Sequence, residues 1–202
     1  YEERARWHTL WIVDPLDGTK EFIKQNGEFT VNIALVEEGV PVFGVIYVPV
    51  KETLYWGEPV DGAYKMDEVT ERAGRSWEEM KASALRLPCA GAGDAFVIVA
   101  SRSHLSAETE DYIEEKRKIY PRVELVSVGS SIKICRVCEG AADEYPRFAP
   151  TMEWDTAAGH AIAKASGAEI YQVGKEEPLV YNKPDLLNPW FIVKRNNTRN
   201  RC

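Results

Sequence analysis

The chain has 202 residues, of which 45% are hydrophobic, 28% charged and 10% aromatic, enough apolar mass for a buried core without disulfides or a structural metal. With no low-complexity tract and no internal repeat, that composition excludes a disordered, collagen-like or repeat-built chain. Lys and Arg number 25 against 32 Asp and Glu, and the net charge of -7 excludes broad binding of a nucleic-acid polymer through a basic face, so an anionic ligand needs local cations or backbone N–H groups.

The longest apolar runs, such as residues 40–50, are interrupted by Pro41, Gly44 and Pro49 and fall short of the roughly 20 residues of a spanning helix, so no transmembrane segment is expected. Cys89, Cys135, Cys138 and Cys202 make no secreted disulfide framework in a chain of this length, which points to a reducing cytoplasm. Tyr1 is not an initiator Met and no signal-peptide pattern follows it, so the start reads as a truncated or processed boundary.

Trp11-Ile12-Val13, ended by Asp14-Pro15, reads as a strand entering a turn, because the residue before proline is pushed towards extended geometry. A short helix over 19–25 follows, then β-branched strands over 29–36 and 40–48 joined by Glu37-Glu38-Gly39, a hairpin signal. Phe29, Val31, Ile33 and Leu35 alternate with Thr30, Asn32 and Ala34 and predict a core-facing stripe. Leu54-Tyr55-Trp56 and Ala63-Tyr64-Lys65-Met66 continue an antiparallel meander. The charged stretch 66–86 is expected to be partly helical, and residues 87–93 to be a connector at a domain boundary. Beyond it, strands over 96–100 and 123–128 alternate with helices over 107–118 and 130–139. An alanine-rich helix over 156–165 is closed by Gly167, and a last strand over 189–193 precedes a polar tail, 194–202, expected to be disordered.

The chemistry concentrates in Asp14-Pro15-Leu16-Asp17-Gly18-Thr19, where a strand delivers two carboxylates into a turn and glycine opens a helix start. Two hard oxygen donors, a turn carbonyl and water suit Mg²⁺, and nearby backbone N–H groups suit a phosphate. Taken alone, Asp-x-x-Asp-Gly is also an ordinary Asp-rich turn with an N-cap. A calcium loop is excluded, because Leu16 and Gly18 stand where oxygen side chains are needed. A covalent Asp-x-Asp-Gly-Thr phosphatase is excluded as well, because Pro15 occupies the nucleophile position two residues before Asp17. Direct attack by metal-activated water is therefore preferred. Cys135-x-x-Cys138 lies on one face of a predicted helix, with no second Cys/His pair spaced for zinc, and reads as packed core thiols.

The run from Trp11 through Asp14, Asp17, Gly18 and Thr19 to Phe22 resembles the signature of the inositol monophosphatase superfamily, and Trp154-Asp155-Thr156-Ala157-Ala158-Gly159-His160 resembles its C-terminal motif. Ser101-Arg102-Ser103-His104, Gly129-Ser130-Ser131-Ile132-Lys133 and Tyr145-Pro146-Arg147-Phe148 are similar to the CysQ-type branch of 3'(2'),5'-bisphosphate nucleotidases. The resemblance implies an α/β (α+β) fold, a layered αβαβα sandwich. In it, residues 1–93 form the remainder of an antiparallel-sheet, metal-binding domain, and residues 94–193 a smaller α/β domain for substrate specificity.

The resemblance also implies site roles. Asp14, the Leu16 carbonyl, Asp17 and Asp155 are the metal ligands, with Asp14, Asp17 and Thr19 catalytic and the Thr19 hydroxyl orienting the attacking water. Gly18 and Thr19 receive the scissile phosphate, and His104, Ser130, Lys133, Arg147 and Asp155 contact the rest of the substrate. Asp155 is expected to begin the alanine-rich helix, whose dipole favours its charge; a plain N-cap is its alternative role. Family members carry a further metal-binding glutamate and an aspartate upstream of the stretch corresponding to Tyr1; Glu2 and Glu3 resemble the linker after that glutamate and are not assigned as ligands. The implied activity is a Mg²⁺-dependent, lithium-sensitive phosphatase taking a small nucleotide bisphosphate, adenosine 3',5'-bisphosphate, to AMP and phosphate, with its 5'-phosphosulfate analogue as a second candidate. Inositol- or sugar-phosphate hydrolysis, and an inactive metal- or anion-binding module, are the alternatives.

Overall fold

The computed structural model describes residues 1–91, 93–100 and 106–196. β-branched and aromatic runs in the first half form β1 (Thr9–Asp17), β2 (Thr30–Glu37), β3 (Val40–Val48), β4 (Thr53–Glu58), β5 (Gly62–Met66) and β6 (Leu85–Arg86), paired antiparallel in sequence order. Glu38 (φ 49°) and Gly39 (φ 76°) are both left-handed, the two-residue geometry whose twist matches a β-hairpin, and they join β2 to β3. Helix α1 (Thr19–Ile23) separates β1 from β2. Helix α2 (Trp77–Ser83), started by a reciprocal Ser76–Glu79 capping box, lies between β5 and β6.

The second half alternates β7 (Phe96–Ala100), α3 (Ala107–Ile119), β8 (Val123–Ser127), α4 (Ile132–Glu139), β9 (Glu144–Arg147) and α5 (Glu153–Ala165), then closes with β10 (Ala168–Gln172) and β11 (Phe191–Arg195). Its sheet runs β10-β11-β9-β7-β8, with β7 parallel to β8 and β9 and the remaining pairs antiparallel. Helices α4 and α5 lie between the two sheets in one continuous core that includes Ala34, Ile46, Ile134, Ala158, Ile162 and Phe191. On the outer face of the first sheet Met80 of α2 packs with Trp56, Tyr64 and Met66, and on the outer face of the second Ile113 of α3 packs with Phe96 and Ile98. The layers are α, β, α, β, α, a mixed α+β sandwich as expected.

Several elements differ from the sequence reading. β9 and β10 are strands that periodicity did not announce, and the stretch 66–86 contributes a strand, β6, besides its helix. The last strand is Phe191–Arg195 rather than 189–193: Pro189 has no N–H to give a ladder, whereas Lys194 and Arg195 pair with Glu169 and Ala168. The stretch expected as a tail thus starts inside a strand, and residues 197–202 lie outside the described residues.

The β2 stripe is also inverted. Thr30, Asn32, Ala34 and Val36 are the buried residues, while Val31, Ile33 and Leu35 are only half-buried. Where Ala34 pairs with Gly44, α5 runs so close to the first sheet that the inward position at Gly44 has no room for a side chain, although Val36 and Ile46 are inward and buried elsewhere on the sheet. At Gly44, paired with Ala34, an added Cβ would stand 2.2 Å from the Ala158 carbonyl oxygen, and at Gly57 it would stand 2.8 Å from the Ile162 Cα. Both obstacles are backbone. We predict that Gly44→Ala lowers stability by about 3 kcal/mol or more through overpacking, read as a fall in the urea midpoint. Gly91→Ala, where nothing stands within 4 Å of the added carbon, leaves the midpoint unchanged.

Candidate active site

Residues three apart in a regular strand point to opposite faces, so Asp14 and Asp17 need a local irregularity to converge. β1 supplies it. Asp14 pairs with Asn32 and Asp17 with Thr30, three steps on one strand against two on the other, a bulge at Pro15-Leu16 that brings both carboxylates to one side. Leu16 donates its backbone N–H to Asp14 Oδ1 at 3.0 Å and so fixes the turn. Asp155 comes from α5. It lies in the first turn of a helix that starts at Glu153, rather than ahead of a helix over 156–165, and its Oδ2 accepts the Met152 N–H at 2.7 Å. Oxygens of Asp14, Asp17 and Asp155 lie within 4.8 Å of one another.

Among the described residues none of these carboxylates has an ion-pair partner. Burial, and then the charges of Asp17 and Asp14, push Asp155 up to about 6 against the opposing Met152 N–H. Asp14 is raised too, by burial first and by Asp17, with the Leu16 N–H pulling the other way. Three converging, uncompensated carboxylate oxygens are a donor set for a hard divalent cation, so the residues present fit a metal of the Mg²⁺ class.

A cleft of about 370 Å³ opens beside the cluster, lined among others by Gly18, Thr19, Ser130, Lys133, Arg147 and Asp155. Gly18 is left-handed (φ 87°) and abuts Ser130, whose Cβ would be 3.1 Å from a side-chain carbon at position 18. Thr19 opens α1 and is exposed. Ser130 is also left-handed (φ 44°), and among the described residues its buried hydroxyl has no partner, nor has the buried Arg147 Nε. Lys133 sits 5.7 Å over the Tyr145 ring and, among the described residues, donates to the Val128 carbonyl at 3.4 Å. Burial, reinforced by Arg147 and opposed by Asp17, holds its pKa down at about 8.

The sequence-predicted residues Asp14, Asp17, Gly18, Thr19, Ser130, Lys133, Arg147 and Asp155 thus gather at one cleft, with Leu16 in the bulge between the first two aspartates. His104 lies outside the described residues. Sequence reasoning missed Thr30, Asn32 and Ser131, all buried. Ser131 donates to Asp17 Oδ2 from both its N–H and its hydroxyl, at 2.7 Å each. The available signal was polarity at the inward positions of β2 and a second serine after Ser130. Cys135 and Cys138 are buried free thiols, with burial pushing Cys138 up to about 12, and are core residues as expected.

A five-layer αβαβα sandwich carrying an acidic cluster on a Asp-Pro-x-Asp-Gly-Thr turn defines the class. Residues 2–199 match the model of the inositol monophosphatase family, and the chain belongs to that family. It is 42% identical to the 3'(2'),5'-bisphosphate nucleotidase CysQ of Escherichia coli K12 over 194 residues, covering 96% of this chain and 71% of that protein. The crystal structure of CysQ from Bacteroides thetaiotaomicron is 64% identical and superposes with a TM-score of 0.94, over 98% of this chain and 74% of that one. The 2'AMP-bound structure of SaIMPase-II, at 21% identity and a TM-score of 0.67 over 93% and 64% of the two chains, shares the fold.

The raised Asp155 makes a prediction about stability. An acid whose folded pKa exceeds its unfolded value binds more protons when folded, so the metal-free protein loses stability as pH rises from near 4 through about 6. At pH 7.5, Asp155→Asn is expected to raise the melting temperature of the metal-free protein and to abolish most of the gain that saturating Mg²⁺ gives the wild type. Differential scanning fluorimetry with and without chelator checks both.

Proposed function

We propose that this protein is a Mg²⁺-dependent 3'(2'),5'-bisphosphate nucleotidase that removes the 3'-phosphate of adenosine 3',5'-bisphosphate, giving AMP and phosphate. One observation carries the reading: the carboxylate cluster adjoins a cleft that also offers Lys133, Arg147 and the unpartnered Ser130 hydroxyl. A phosphomonoester needs only the first, whereas a bisphosphate uses both. The identity to CysQ proteins supports the same choice.

In this reading Asp14, Asp17, Asp155 and the Leu16 carbonyl hold the Mg²⁺. A bound divalent cation would polarise the phosphoryl oxygens and lower the pKa of water. The N–H groups of Gly18 and Thr19 bind the scissile phosphate, and the Thr19 hydroxyl orients water for in-line attack. The water oxygen bonds to phosphorus as the bond to the 3'-oxygen breaks, and that oxygen leaves with a proton. Lys133 and Arg147 hold the 5'-phosphate, with Ser130 donating to it, and the family resemblance gives His104 a contact to the substrate. The first sheet, within residues 1–93, thus supplies Asp14 and Asp17 to the metal, while residues 94–193 supply Asp155 and the specificity groups. The cysteine usage fits a cytoplasmic protein; among the described residues no helix is long and apolar enough to cross a membrane.

Mg²⁺-dependent phosphate release from adenosine 3',5'-bisphosphate and from inositol 1-phosphate tests the reading. Preference for the bisphosphate is expected, and preference for the inositol ester overturns the substrate choice. Arg147→Ala should raise KM for the bisphosphate roughly tenfold or more, as loss of a charge-assisted contact does, with a smaller change in kcat. Thr19→Val should lower kcat roughly 100-fold, the typical scale for a proton-handling group; an unchanged kcat removes Thr19 from the chemistry.

A further inference from the structure

We propose that Ser131 is a positioning residue that locks the Asp17 carboxylate in its metal-binding orientation and ties it to the helix carrying Asp155. The inference rests on the cation site proposed above and adds to it a group that acts through the Asp17 side chain.

Ser131 is 3% exposed and sits at the start of α4. Both of its donors go to a single oxygen: the N–H and the hydroxyl each lie 2.7 Å from Asp17 Oδ2, with the Thr30 hydroxyl more distant at 3.4 Å. Oδ2 is thereby saturated, and Oδ1 is the oxygen left to face a cation. A carboxylate free to turn about its last bond presents either oxygen, whereas one gripped twice on the same oxygen presents one.

The hydroxyl carries one proton but has two acceptors in reach, Asp17 Oδ2 at 2.7 Å and the Asp155 carbonyl at 2.9 Å. Asn32 bears on the choice. Its Nδ2, 2.9 Å from Ser131 Oγ, donates into the hydroxyl and leaves the proton to point outward, and the anionic acceptor forms the stronger bond. Asn32 is itself 1% exposed and is the cross-strand partner of Asp14. The chain Asn32–Ser131–Asp17 therefore links the strand beside one ligand to the side chain of the second. The Asp155 backbone lies against the same hydroxyl, so one buried serine joins the two sequence motifs that bear the carboxylates.

Calorimetric Mn²⁺ binding and steady-state kinetics on the full chain test this, with Ser131→Ala, Ser131→Thr and Asn32→Ala. Loss of a group that orients a metal ligand weakens the metal by roughly 10- to 100-fold; Ser131→Ala should fall in that range and lower kcat while KM for the bisphosphate stays within about twofold. Ser131→Thr, which keeps the hydroxyl, should restore Mn²⁺ affinity to within about threefold, and Asn32→Ala should fall between the two. A purely structural serine predicts a lower melting temperature with unchanged Mn²⁺ affinity, and that result overturns the proposal. So does a Ser131→Thr variant as weak as Ser131→Ala while folded by circular dichroism. Failure of the wild type to bind Mn²⁺ would instead reject the cation site itself.

Discussion

Holding three carboxylates within 4.8 Å of one another opposes folding, since each loses water and two neighbours repel it. The chain answers with the same device three times. One main-chain N–H is aimed at each carboxylate: Leu16 at Asp14 (3.0 Å), Ser131 at Asp17 (2.7 Å) and Met152 at Asp155 (2.7 Å). These donors carry partial positive charge that no titration removes, and they sit in a bulge and at two helix starts, where backbone N–H groups are otherwise unsatisfied. They fix the carboxylates without neutralising them, as the upward shifts of Asp14 and Asp155 record. A bound divalent cation would relieve the residual repulsion and so add to the stability of the fold.

Placement of Asp155 depends in turn on how closely α5 nests between the sheets. The helix meets β3 at Gly44, β4 at Gly57 and α4 where its own Gly159 faces Ile134, and at each contact an added methyl would stand under 3.0 Å from a neighbour. Glycines on three elements thus set the height of one helix, and the first turn of that helix carries Asp155. The site's geometry is a consequence of packing some distance from it, because a close-packed interior transmits small displacements instead of absorbing them.

The chemistry was more legible in the sequence than the burial. Asp14, Asp17 and Asp155 fall in local motifs, and turn, bulge and helix-start residues are readable because they answer to short-range rules. The α4 and α5 helices and most of the first sheet were equally plain. β2 misled, because alternation gives the period but not which face is inside: Val31, Ile33 and Leu35 are the more hydrophobic set, yet Thr30, Asn32 and Ala34 are buried. Only α5, distant in sequence, decides that, by leaving room for Ala34 against Gly44 and by needing polar groups next to the site. β9 escaped notice for the same reason, as Glu144-Tyr145-Pro146-Arg147 has no strand period, and its Glu144 is buried by Tyr112 and Lys116 from α3.

The two ends of the cleft titrate in opposite senses. In the metal-free protein Asp155 is pushed up to about 6 and Lys133 is held down at about 8. Burial is the leading cause in both cases, acting in opposite directions on an acid and a base. Each end also modifies the other, since Asp17 raises Lys133 towards its charged form while Arg147 lowers Asp155 towards its own. Between the two values both groups are charged together, so a chain with a net charge of -7 carries cationic groups beside its carboxylates. In the proposed reading, a ligand bearing two phosphates, one of them paired with a divalent cation, would complement both sets of charges, whereas a single phosphate would engage only one of them.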